Sequence, residues 1–124
     1  MISVREVTII HNILIDLFGG SKGIRDIGLL KSALARPFAS FAGKDLYLSP
    51  IDKAAAILES IAVNDPFIDG NKRTAYTLMR LMLLENELDI MASQEEKYKF
   101  VISVSTGEYR FEEIKNWIQS NLKN

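Results

Sequence analysis

Apolar residues recur at the spacing of one helix face along most of this chain, and that pattern confines it to an all-α fold. Ile9, Ile10, Ile13, Leu14 and Leu17 make the first such stripe. Ile51, Ala54, Ile57, Leu58 and Ile61 make another, followed by Ala75, Leu78, Met79, Met82 and Leu83, and then by Phe111, Ile114, Trp117, Ile118 and Leu122. The punctuation agrees. Gly19 and Gly20 stop the first helix. Asp26 caps a second, which ends at Pro37 because proline cannot continue the hydrogen-bond ladder. Ser49, Pro50 and Asp52 supply a cap, a first-turn proline and a first-turn acid for a third helix, running to about Asn64. Another helix begins near Gly70. Ser93 with Glu96 forms a capping box for a fifth, which reaches Ser105 and ends near Gly107. A length of 124 residues suits one core, so the expectation is a single domain over residues 1–124, a compact bundle of about six helices.

Residues 38–48, FASFAGKDLYL, break the pattern. Gly43 lies between arms carrying Phe38, Phe41 and Tyr47, and the stretch predicts a short flap or hairpin. A formal net charge of −1 argues against general nucleic-acid binding, although Lys72 and Arg73 form a small basic patch. With no cysteine, disulfides and thiolate metal sites are excluded. The first apolar stretch is interrupted by His11, Asn12 and Asp16 and lacks a cleavage pattern, and the run near residue 80 is broken by Arg80 and Glu85. Neither reads as a signal peptide or a membrane span, so the expected location is the cytoplasm.

The densest polar run is NDPFIDGNKRTAY, residues 64–76. Asp69 and Gly70 signal a turn, and the residues after them read as a helix N-terminus. Four backbone N–H groups are unpaired at such an end, and with the helix dipole they favour an anion. Gly70 lets an anion approach the backbone, and Asn71 can donate a side-chain hydrogen. Lys72 and Arg73 bring charge, the arginine with a fork suited to two phosphate oxygens. Asp69 suits Mg²⁺, which binds one or two carboxylates together with substrate phosphates. Pro66 and Phe67 are expected to pin the loop to the bundle. DGNKR alone is also a commonplace start to a solvated helix, so the longer string carries the argument.

That string resembles the central motif of the Fic/Doc family, His-Pro-Phe-x-Asp-Gly-Asn-Lys-Arg. Pro66, Phe67, Asp69, Gly70, Asn71, Lys72 and Arg73 match in register. Lysine at 72 is similar to the Doc (death on curing) branch, as are HNILIDLFGG, GLLKSALARP and STGE, in the same order. The resemblance implies a toxin of a toxin–antitoxin pair. Such toxins use ATP and Mg²⁺ to phosphorylate a threonine of elongation factor Tu and so halt translation. It assigns the metal to Asp69, an anion hole to Gly70 and Asn71, phosphate clamping to Lys72 and Arg73, and target positioning to the 38–48 flap.

One position departs from the motif. The family's general base is a histidine before Pro66, where this chain has Asp65. Aspartate accepts a hydroxyl proton in protein kinases. It is nevertheless shorter than imidazole and a weaker base at neutral pH. It also repels a triphosphate, by about 3 kcal/mol per unit charge at about 5 Å and an effective dielectric of about 20. The departure predicts an impaired enzyme. His11, the sole histidine, reads as a packing or capping residue. Two other functions fit the residues: transfer of a nucleotide monophosphate to a protein hydroxyl, and a non-catalytic phosphate- or partner-binding module. The inhibitory Ser/Thr-x-x-x-Glu-Gly/Asn pattern carried by many Fic proteins is absent from the sequence. The resemblance therefore implies inhibition by a separate Phd-like antitoxin whose tail folds on contact.

Overall fold

The structure is a computed structural model that describes residues 1–123. Six α-helices are found among them: α1 (Val4–Phe18), α2 (Ile27–Ala35), α3 (Pro50–Asn64), α4 (Asn71–Leu84), α5 (Gln94–Ser105) and α6 (Phe111–Ser120). A 3-10 turn, Arg36–Phe38, extends α2, and an antiparallel hairpin, β1 (Ser40–Phe41) and β2 (Lys44–Asp45), stands where the flap was expected. The caps at Asp26, Ser49 and Ser93 are those the sequence marks, and Ser3 adds one at the start of α1. Ser3, Asp26, Ser49 and Ser93 each accept a backbone N–H through the side chain, and Ser93 forms a reciprocal capping box with Glu96.

α3 is the central helix. Every residue from Ala54 to Ala62 is buried, and the other helices pack around it. α4 presents the predicted face, with Ala75, Leu78, Met79, Met82 and Leu83 all buried. One continuous core joins these residues to Val7, Leu30, Phe100, Ile114 and Ile118, so each of the six helices contributes. Among the described residues no helix is long and apolar enough to cross a membrane.

The inward face of α1 differs from the expected one. Val7, His11 and Ile15 are buried, whereas Ile9, Ile13 and Leu17 are 50%, 52% and 68% exposed. Ile10 and Leu14 lie between these extremes. The cause is long-range. His11 Nε2 donates to the Asp69 carbonyl at 2.8 Å, and the imidazole stacks on Phe67 at 3.9 Å. A satisfied polar ring in the core turns the helix by more than the apolar stripe can resist. The carbonyl is an acceptor only, which places the imidazole proton on Nε2.

Candidate functional site

The loop between α3 and α4 is held on both sides. At its first end, Asp65 closes α3 in the left-handed conformation with φ 47°. Arg25 reaches across to donate to the Asn64 and Asp65 carbonyls, both at 2.7 Å. The Arg25 and Asp26 amides donate to the Pro66 carbonyl, and the Ile68 amide donates to that of Gly23. Pro66 and Phe67 are buried, as expected for pins. Residues 21–26 thus act as a strap over the loop, a role the sequence did not signal.

Asn71 holds the second end. Its side-chain oxygen accepts the Phe67 N–H and its amide donates to the Phe67 carbonyl, both at 2.9 Å. The side chain thus clasps the loop, a role the sequence did not signal, and the backbone N–H belongs to the helix start. Gly70 takes φ 73°, a conformation that favours glycine, and a Cβ there would press on the tip of Ile15 at 3.0 Å. Asp69 accepts the Gly70 N–H at 2.8 Å through one carboxylate oxygen and the Ser21 N–H at 3.1 Å through the other. A Cβ on Gly20 would lie 2.7 Å from that second oxygen.

Beyond the clasp a cleft of about 650 Å³ opens, with the start of α4 as its floor, Leu14 and Phe18 of α1 on one side, and Gln94, Lys97, Tyr98, Val101 and Ile102 of α5 on the other. Asp69, Gly70, Asn71, Lys72 and Arg73 all line it. The Asn71, Lys72 and Arg73 amides have no acceptor among the described residues. Neither Lys72 nor Arg73 forms an ion pair there. The Arg73 guanidinium lies 4.2 Å from the Phe18 ring centroid, a stacked cation whose N–H edges remain free for phosphate oxygens. Burial pushes the Tyr76 phenol up to about 12, and this ring lines the cleft uncharged. Asp65 is not among the lining residues; its carboxylate is exposed and makes no hydrogen bond among the described residues.

The donor set suits a divalent cation held jointly with phosphates. Asp69 is the one carboxylate lining the cleft, and its two amide bonds leave lone pairs unused. Among the described residues no group of three or more acids and histidines could cage a metal without such a ligand. That arrangement matches magnesium's habit of binding one or two carboxylates plus substrate oxygens.

A second cleft, of about 480 Å³, lies between α3 and the α5–α6 turn. Glu59, nearly buried on α3, accepts from Arg36 at 2.8 Å and from Arg110 at 3.3 Å. Arg36 also donates to the Tyr47 hydroxyl at 2.9 Å and to Ser60 at 3.0 Å, and Lys53 donates to the Tyr47 carbonyl. Burial would lower the Arg36 value, but Tyr47 and Glu59 outweigh it and hold the guanidinium above its ordinary range. Every charge here has a partner, and the base of the flap is tied into the bundle.

A helical bundle with a hairpin flap and an anion-ready helix start behind an HPF-like loop defines a class, and the sequence profile of the Fic/DOC family matches residues 1–83. The chain belongs to that family. It is 47% identical over 75 residues to a curated protein, Toxin Doc of Mycolicibacterium smegmatis (strain ATCC 700084 / mc(2)155). The match covers 60% of this chain and 58% of the relative's length.

Proposed function

We propose that this chain is a Doc-type toxin whose cleft binds ATP with Mg²⁺ for phosphoryl transfer to a threonine of elongation factor Tu, impaired in this form by Asp65. The observation that carries the reading is the convergence on one cleft of the free Asn71, Lys72 and Arg73 amides with the side chains of Lys72 and Arg73. The amides of the α4 start hold phosphate oxygens, Lys72 neutralises them, and Arg73, steadied by Phe18, grips two at once. Asp69 would hold Mg²⁺, which supplies charge neutralisation along the phosphates when bound. His11 and Arg25 keep the loop in shape and touch no reacting atom. A separate Phd-like antitoxin would silence the site, and the protein would act in the cytoplasm on another protein rather than on nucleic acid.

Asp65 decides whether chemistry follows binding. Asp65→His, expressed without antitoxin, is expected to arrest growth and to move label from γ-labelled ATP onto the elongation factor. Label arriving from α-labelled ATP instead would assign AMP transfer. Healthy cells and no labelled protein would defeat the enzymatic reading. A non-catalytic binding module is the second reading, favoured by the position of the Asp65 carboxylate away from the cleft lining.

A further inference from the structure

We propose that Lys97 of α5 is a third phosphate-binding cation, which makes the cleft selective for a polyphosphate chain over a single phosphate; this rests on the nucleotide reading above. The family match ends at residue 83, before α5 begins, so no part of that wall is accounted for by the family profile. Lys97 lines the cleft opposite Phe18 and is half-buried, on the side of α5 that also carries Val101.

A lysine withdrawn from water normally acquires a carboxylate partner or extends its ammonium group outward. Lys97 has neither acid of its own helix. Glu95 pairs with Lys99 at 3.0 Å, and Glu96 is engaged in the capping box with Ser93. The cleft offers only Asp69, and among the described residues Lys97 forms no ion pair with it. The Lys97 ammonium instead lies 5.9 Å from the Tyr76 ring centroid. This brace repeats, on the far wall, the one Phe18 gives Arg73. Lys72, Arg73 and Lys97 therefore bring three positive charges against one engaged carboxylate, in a protein whose formal net charge is −1. Such a local surplus is electrostatically unfavourable until an anion fills it. One phosphate at the start of α4 would occupy the amides and Arg73 and leave Lys97 unmatched. A chain of phosphates continuing across the cleft would satisfy all three, with Leu14, Val101 and Ile102 forming the apolar border beside it.

Calorimetric titration with inorganic tripolyphosphate, ATP and inorganic phosphate tests this on the full chain. Lys97→Met keeps the stem and removes the charge. It is expected to weaken tripolyphosphate and ATP about tenfold, to leave inorganic phosphate within about twofold, and to make the salt dependence of polyphosphate binding shallower. Lys97→Arg is expected to retain wild-type affinity, and an unchanged melting temperature in both variants would separate binding from folding. Tripolyphosphate binding that is equal in wild type and Lys97→Met, yet lost in Lys72→Met, would overturn the role of Lys97 and leave the α4 site standing. Failure of the wild-type chain to bind any polyphosphate would overturn both.

Discussion

The two clefts use the same residue types in opposite ways. In the second, Arg36 and Arg110 close on Glu59, and Arg36 also donates to Tyr47, Ser60 and the Ala56 carbonyl. In the first, Lys72, Arg73 and Lys97 face open space with aromatic rings, not acids, beside two of them. Matched charge builds a joint between helices and the flap, whereas unmatched charge leaves its donors free. Arginine content alone distinguishes neither; the difference lies in which partners the fold brings.

Glu59→Ala should break that contrast most severely, because it strips Arg36 and Arg110 of their shared carboxylate acceptor. A loss of about 3 kcal/mol in folding stability is expected by urea denaturation, with polyphosphate affinity of the folded protein unchanged. Stability within about 0.5 kcal/mol of wild type would mean the triad is no joint. Arg73→Ala should do the reverse. Tripolyphosphate binding is expected to fall by about 2 kcal/mol while the melting curve barely moves, and a large drop in melting temperature would show that Arg73 supports the fold instead.

The smallest effect is expected at an exposed pair outside both clefts. Arg80 donates to both Asp89 oxygens, at 2.9 and 3.0 Å. Those bonds, with the Ile90 amide, hold the Asp89 carboxyl at about 2, below its ordinary 3.8. A depressed folded value contributes stability above pH 3.8 that is lost as pH falls toward 2. Arg80→Ala should therefore cost a small stability at neutrality, modest because exposed pairs contribute little, and that cost should shrink as pH falls toward 2, so that an acid midpoint above that pH moves slightly higher. An unchanged acid midpoint would count against any role for this pair.

Much of the bundle was legible because its signals are local. The caps at Asp26, Ser49 and Ser93 and the buried face of α4 depend on residues a few positions apart, and they stand as read. α1 was misread because its most regular apolar stripe is not its buried one. The burial of His11 depends on a carbonyl 58 positions away. The cleft divides similarly. Asp69, Gly70, Lys72 and Arg73 could be picked out as one string, but Phe18, Arg25 and Lys97 reach the loop or the cleft only through the fold. The clasp that Asn71 forms on Phe67 went unread, since a motif shows an amide but not which way it turns.

Asp65 sits in the left-handed region, which tolerates few side chains; asparagine, aspartate and histidine are the most at home there after glycine. Codons for histidine and aspartate differ by one base, and the turn accommodates both residues with its carbonyl still tethered by Arg25. A point mutation can therefore exchange the side chain offered at this position without remodelling the scaffold. The chemistry presented by residue 65 and the shape of the loop that carries it are thus separable.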